Sequence, residues 1–198
     1  MAGENGCNRR RKQQLIGSRA SRKSKQTYTE DMLQLGTMST PIGRLIVAAR
    51  NHRLCLVHFD SSESAARKTL ARWYPDEPVE LARDPGGSVA VLTSYFDGNV
   101  HALDGVEVEL NGTPFQLRVW GTLRAVRAGS TASYMDIARR IRAPKAVRAV
   151  GAANGANPIP IVVPCHRIIG SSGDLTGYGG GLDRKRWLLR HEGNPLLF

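Results

Sequence analysis

The segment NPIPIVVPCHRIIG, residues 157–170, restricts the fold more than any other stretch of this 198-residue chain. It is too rich in proline for the interior of a regular strand. The run PIPIVV is instead a stiff apolar segment that carries Cys165 into a low-dielectric place. Burial alone raises the pKa of a thiol and makes it inert, and only a neighbouring base or cation reverses that. His166 is adjacent, yet on an extended backbone its side chain would point away from that of Cys165, so a water or a turn is needed to link them. Glu192, in RHEG, is the candidate to orient His166. A Glu–His–water–Cys relay would form a nucleophile-activating unit of the general triad type. A buried structural cysteine remains the competing reading of Cys165 at this level. Arg167, with five donors, suits the tying of neighbouring segments better than chemistry.

Charge divides the chain. Residues 31–110 carry seven Lys/Arg against eleven acids, net −4, whereas residues 111–198 carry thirteen against four, net +9. The net charge of +11 is completed by residues 1–30, with eight against two, net +6. A basic C-terminal block implies a polyanionic partner, with nucleic acid the first candidate. Its counter-reading is a generic solubility charge. The polar, basic N-terminal stretch reads as a disordered arm over residues 1–33. The 41% hydrophobic content supports one large domain or two small ones. No apolar run approaches the roughly 18 residues of a membrane span, and no secretory signal follows the basic start. Cys7, Cys55 and Cys165 are odd in number and far apart, which fits a reducing, cytoplasmic setting rather than a disulfide framework.

Residues 34–110 read as a small α/β domain. GRLIVAAR and RLCLVHF flank Asn51-His52 and predict a hairpin. SESAARKTLARWY predicts a helix over 62–74, capped by Ser62 or Ser64 and closed by Pro75. EPVELA is a candidate strand, and GGSVAVLTSYFDG a helix ending at Gly98. Strand alternation sets Cys55 on the face opposite to His52 and His58, so no metal site is expected there. Residues 111–198 read as mainly helical. Thr113 and Pro114 start a helix whose Phe115, Val119, Leu123 and Val126 face a core. Ser133 caps a helix over 134–141, and Pro144 starts a second over 144–153, the outline of a helix-turn-helix. That second helix is nearly all small (Ala146, Ala149, Gly151, Ala152, Ala153) with Lys145 and Arg148 as its charges, as expected of a helix fitted into a groove or packed against a neighbour. A last helix spans 182–191. Between Cys165 and that helix, GSSGDLTGYGGGLDRK is a glycine-rich loop without a Walker pattern. It can close a pocket wall with backbone N–H groups, and Tyr178 within it can stack on a planar ligand.

SYMDIARRIRAPKAVRAVGAANGANPIPIVV followed by PCHRIIGSSGDLTGYGGGLDRKRWLLRHEG resembles the O6-alkylguanine-DNA alkyltransferase (methylated-DNA–protein-cysteine methyltransferase) family. The resemblance rests on P-C-H-R, the preceding Asn-Pro, the R-A-V-G helix and the terminal H-E-G, and covers residues 113–194. TPIGRLIVAA loosely resembles the opening strand of the family's N-terminal domain. The implied fold is a ribonuclease-H-like α/β N-terminal domain, a small sheet with helices, joined to a mainly α C-terminal domain with a helix-turn-helix and an active-site loop. The implied activity is stoichiometric: Cys165 takes an alkyl group from O6 of guanine in DNA, with O4-alkylthymine a further candidate substrate, and keeps it. His166 deprotonates Cys165 through water and Glu192 holds His166. Tyr134 and Lys185 protonate or stabilise the departing guanine. Arg148 enters the stack vacated by the flipped nucleotide, with Lys145, Ala146 and Ala149 beside it on the DNA. Asn157 is the hinge from recognition helix to active site. Pro160, Ile168, Tyr178 and Gly179 surround the base. Gly179 departs from the Ser of some relatives, which removes a hydroxyl and opens room for bulkier alkyl groups. No cofactor and no metal are implied. The partner is double-stranded DNA carrying O6-alkylguanine, bound mainly through minor groove and phosphates by a nucleoid-associated monomer that touches no membrane. A lesion-binding protein without transfer activity is the alternative, and it normally lacks the nucleophile.

Overall fold

The computed structural model describes residues 32–59 and 63–194. The basic arm up to residue 31, Cys7 and the Ser62 cap lie outside these residues, whereas Leu33, assigned to the arm from sequence, is a fully buried residue of the first strand. Strands β1 (Leu33–Thr40), β2 (Gly43–Arg50), β3 (Arg53–Phe59) and β4 (Val79–Leu81) form one sheet in the order β3-β2-β1-β4. β1 runs antiparallel to β2 and parallel to β4. The predicted hairpin joins β2 to β3, and Asn51 and His52 take φ of 49° and 60°, the doubly left-handed turn that matches strand twist.

Helix α1 (Glu63–Trp73) covers one face of the sheet, with Ala66 and Leu70 against Leu33, Leu35, Ile46 and Leu56. Ser64 lies inside the first turn of α1 and is not its cap. The other face carries helix α2 (Ser88–Phe96) and the C-terminal domain, in one core that joins Leu45, Val47 and Val57 to Tyr95, Val119, Leu123, Ile159 and Leu188. A β-bulge alters the expected alternation in β3. Ala48 pairs with Leu56 and Ala49 with Leu54, which leaves Cys55 as the extra residue. Cys55 and Leu56 therefore both reach the α1 face, and Cys55 is not opposed to His58 as simple alternation predicts. Among the described residues no group of three or more His, Cys, Asp or Glu is placed to hold a metal ion.

In the C-terminal domain α3 (Pro114–Arg124) starts with a capping box between Thr113 and Gln116, and α4 (Tyr134–Arg140) with one between Ser133 and Asp136. The expected second helix of the helix-turn-helix begins later than Pro144. Ala146 N donates to Ala143 O at 2.8 Å, so Pro144 occupies the second position of a tight turn, where its fixed φ is favoured. Arg142, at φ 58°, reverses the chain just before it. Helix α5 is Val147–Gly155, which puts Lys145 in the turn and Ala146 at the cap. Strands β5 (Ala132–Ser133) and β6 (Ile168–Ile169) pair in parallel, and α6 (Leu182–His191) follows the glycine-rich loop. No helix of the described residues is long and apolar enough to cross a membrane.

The two domains meet along β3, an edge strand whose free backbone would otherwise be a pairing hazard. Within the N-terminal domain Leu54 exchanges backbone hydrogen bonds with Glu107 and Glu109, and across to the C-terminal domain Val57 N donates to Pro158 O at 3.0 Å. Two glycines give opposite expectations. A Cβ on Gly36 would sit 2.6 Å from Ala82 O and 2.8 Å from Pro85 Cδ, so Gly36→Ala should cost about 1–3 kcal/mol. A Cβ on Gly121, inside α3, meets nothing within 4 Å, so Gly121→Ala should gain about 0.5–1 kcal/mol. Urea midpoints of the two variants should move in opposite directions.

Candidate active site

Cys165–Arg167 is a single 3-10 turn. Cys165 N donates to Val163 O at 2.7 Å and Arg167 N to Pro164 O at 3.0 Å. The turn supersedes the extended backbone considered from sequence and removes the strict opposition of the Cys165 and His166 side chains. The preceding run does not form a straight wall. Val163 N returns to Ile159 O at 2.8 Å, and Ile161 takes φ 76°, a conformation costing a β-branched residue on the order of 1–3 kcal/mol. Ile159, Ile161 and Val163 are core residues, each at most 1% exposed, and their burial holds the loop against that cost. Asn157 staples the loop shut, donating from Nδ2 to Val163 O at 2.8 Å and accepting Ile159 N on Oδ1 at 3.0 Å.

Glu192 is the hub of the site. Its Oε1 accepts from His166 Nε2, Arg167 Nη2 and Tyr95 Oη, each at 2.8 Å, and Oε2 accepts from Arg167 Nε at 2.9 Å. Burial pushes the Glu192 carboxyl up, but His166 and the Arg167 guanidinium overcome this and hold it well below the usual carboxylate range. An ionised carboxylate only accepts, so His166 carries its proton on Nε2 and leaves the Nδ1 lone pair free. Nδ1 is buried without a hydrogen-bond partner. Burial also lowers the His166 pKa, against the pull of Glu192, so the ring is neutral near pH 7. Burial pushes the Cys165 thiol up to about 11, partly opposed by the Asn157 side chain and the Lys185 charge. Arg167 additionally donates to Val126 O at 2.6 Å, tying the segment just after α3 to the Cys165 turn.

Lys185 is fully buried, and its Nζ donates to the carbonyls of Ile168 and Thr176. It clamps β6 to the glycine-rich loop, and burial lowers its pKa to about 8. The Tyr134 hydroxyl lies 3.4 Å from the carbonyls of Thr176 and Gly177, and burial raises its pKa. A cavity of about 270 Å³ is lined by Cys165, Asn157, Pro160, Tyr178 and Gly179. Tyr134, Lys185 and Ile168 are not in that lining. Tyr178 meets Phe59 edge to face, with ring centroids 5.9 Å apart. On the outer surface Arg148 and Ala149 of α5 are exposed, as is Lys145 in the turn, with Arg139, Arg140 and Arg142 nearby in the chain. This face presents cations around small side chains.

Sequence reasoning missed Tyr95, which reaches Glu192 from 97 positions away, and the part of the cavity wall supplied by β3 and α1. Neither carries a local signal.

Two family models match consecutive parts of the chain. Residues 33–110 match the ribonuclease-like domain of 6-O-methylguanine DNA methyltransferase, and residues 114–194 its DNA binding domain. The methylated-DNA–protein-cysteine methyltransferase of Salmonella typhimurium is 47% identical over 163 residues, 81% of this chain and 95% of the relative. The protein of the same description from Mycobacterium tuberculosis is 46% identical over 164 residues, 81% and 93% of the two chains. Among solved structures, the O6-methylguanine methyltransferase of M. tuberculosis superposes with a TM-score of 0.67 at 41% identity, over 81% of this chain and 93% of that one. OGT of the same organism in complex with DNA gives 0.65 at 40% identity, over 83% and 97%.

Removing Arg167 strands a buried carboxylate. Arg167→Ala should destabilise the fold by about 3–5 kcal/mol at pH 7. Because the Glu192 pKa is depressed in the folded state, its contribution is complete above the ordinary carboxylate range and is lost as pH falls. The variant brings that pKa back up, so its acid unfolding midpoint, followed by circular dichroism, should shift to higher pH than that of the parent protein.

Proposed function

The chain belongs to the O6-methylguanine DNA methyltransferase family, and from that premise we propose that it repairs DNA by direct reversal, drawing an alkyl group from O6 of guanine onto Cys165 once per molecule. At the coarser level it is a DNA-binding enzyme of alkyl repair, a methylated-DNA–protein-cysteine methyltransferase. The observation that carries the finer reading is the fixed tautomer of His166: Nε2–H is spent on Glu192 and Nδ1 remains a free buried base in the residue next to Cys165.

In this reading a water between Nδ1 and Sγ passes the thiol proton to His166 as the sulfur attacks the alkyl carbon. The S–C bond forms, the C–O6 bond breaks, and guanine leaves with the electron pair. Tyr134, kept protonated by burial, supplies a proton to the departing base, and the proton taken from Cys165 restores the balance, so the net change is thiol proton to guanine. Lys185 acts as a positioning residue, holding Ile168 and the glycine-rich loop against the base. Asn157 is the hinge between α5 and the Cys165 turn. A neutral thioether has no good leaving group and resists attack by water, so the alkyl group stays on Cys165 and each molecule acts once.

A base inside the stack cannot be reached, so the nucleotide is flipped at a cost of a few kcal/mol. Exposed Arg148 fills the vacated space, and Ala146 and Ala149 let α5 lie close in the minor groove. Phosphate contacts from Lys145 and the neighbouring arginines make binding salt-sensitive and nearly indifferent to sequence. The residues of the proposed relay all come from one chain, so a monomer suffices for the reaction. O4-alkylthymine presents the same alkyl–oxygen bond and is a second substrate of this chemistry.

Incubation with duplex DNA carrying one O6-methylguanine should add a single ~14 Da increment, one methylene, to the Cys165 peptide. Demethylation by Cys165→Ser would refute the assignment. Arg148→Ala should slow repair of duplex by at least about tenfold, the equivalent of 1.4 kcal/mol, while reaction with free O6-benzylguanine stays unchanged. Equal losses on both substrates would remove the finger role.

A further inference from the structure

The hydrogen bonds on Glu192 are unevenly shared. Oε2 accepts from Arg167 Nε, whereas Oε1 accepts from His166 Nε2, Arg167 Nη2 and Tyr95 Oη. Each carboxylate oxygen offers about two lone-pair sites, so Oε1 is over-subscribed and its donors compete. Tyr95 shares the very oxygen that holds His166. Its hydroxyl is fixed there by its surroundings. The ring is fully buried and packs edge to face against Phe96 at 5.3 Å and His191 at 5.0 Å, while the Tyr95 carbonyl accepts from His191 Nε2 at 2.7 Å. Burial raises the pKa of the phenol, so it stays protonated and donates. Tyr95 belongs to α2, so the N-terminal domain reaches the relay through it.

We propose that Tyr95 is a positioning residue for alkyl transfer, setting the strength of His166 as a base by drawing charge from the carboxylate oxygen that holds it. The inference rests on the alkyl-transfer reading above. Hydrogen bonds to an ionised acceptor are strong, and each donor on Oε1 leaves less charge for the others. With the hydroxyl in place the bond from Nε2–H to Glu192 is weakened, and His166 stays neutral at rest. Without it Glu192 pulls harder on Nε2–H, and His166 takes its second proton, on Nδ1, at higher pH. A ring already protonated on Nδ1 has no lone pair for the Cys165 proton. The other groups facing His166 are the same with or without the hydroxyl. Arg167 in its own turn and Lys185 of α6 both disfavour the imidazolium, and burial keeps the neighbouring Cys165 thiol neutral. His191 faces the Tyr95 ring and carbonyl.

Tyr95→Phe keeps the buried ring and removes the hydroxyl. The reaction needs neutral His166, so a raised His166 pKa removes activity as pH falls and spares the plateau. In the variant the acid limb of the single-turnover rate with free O6-benzylguanine should therefore move to higher pH by about half a unit or more, a factor of about three. The His166 Nε2–H proton resonance, read by nuclear magnetic resonance on the full chain, should move downfield as the bond to Glu192 strengthens. Tyr74→Phe, which takes a phenol hydroxyl from Glu109 elsewhere in the same domain, should move neither. 3-Fluorotyrosine at position 95, a stronger donor of nearly the same shape, should move the resonance upfield, and it carries the test if the phenylalanine variant does not fold. A resonance unmoved by these changes at 95, or a rate lowered equally at every pH, overturns the role of Tyr95. Failure to alkylate Cys165 overturns the alkyl-transfer reading itself and leaves the resonance to be read independently, so the two failures are distinct.

Discussion

A carboxylate with three neighbours holds this molecule together. Glu192 follows α6, Arg167 and His166 sit in the turn after the proline-rich loop, and Tyr95 comes from α2 of the N-terminal domain. Burying a carboxylate is expensive unless every lone pair is used, and here Oε1 accepts three hydrogen bonds and Oε2 one. The same contacts decide the chemistry. They ionise Glu192, ionisation forces the proton of His166 onto Nε2, and Nδ1 is left as a base. Stability and reactivity thus depend on one group. The domain interface is continued by His191, which reaches Tyr95 O at 2.7 Å and stacks on Trp187 with centroids 4.7 Å apart.

The resting thiol is poorly suited to attack, because burial holds it near 11. In the proposed single-turnover reaction this is an advantage. A thiolate at rest would be open to oxidants and stray electrophiles, and a consumed cysteine ends the molecule's use. In the proposed reaction deprotonation is coupled to a bound substrate, so the proton leaves only when the sulfur has a carbon to attack. Asn157 and Lys185 lower the cost of the thiolate without removing the barrier that burial sets.

Local chemistry in the sequence was legible, and long-range geometry was not. The hairpin at Asn51-His52, the caps at Thr113 and Ser133 and the last helix follow from residues within a few positions of each other. The pairing of His166 with Glu192 could be read because Glu192 follows a helix of clear pattern. Three features escaped. Strand alternation predicted the facing of Cys55, and one extra residue in β3 moved it. Pro144 fits a first helical turn and a tight turn equally well, and the reversal at Arg142 chose the second. Tyr95 and the β3 wall of the cavity depend on how two domains dock, which no short window records.

That docking gives the N-terminal domain its place at the cavity. An edge strand needs partners for its backbone, and β3 finds one in Pro158, one residue after the Asn157 staple. The hydrogen bond that protects the edge therefore also fixes the loop leading to Cys165. It brings His58 and Phe59 to the cavity, and Phe59 in turn supports Tyr178. The packing is tight enough that a Cβ on Gly180 would lie 2.8 Å from Tyr178 and 3.0 Å from Phe59. Glycine at 180 is thus required by the contact between domains, whereas Gly179, whose Cβ would come no closer than 4.0 Å to Gly155 O, has room for a side chain in the cavity lining. Two adjacent glycines of the same cavity lining thus have different surroundings: one is held by the contact between domains, and the other has room for a side chain.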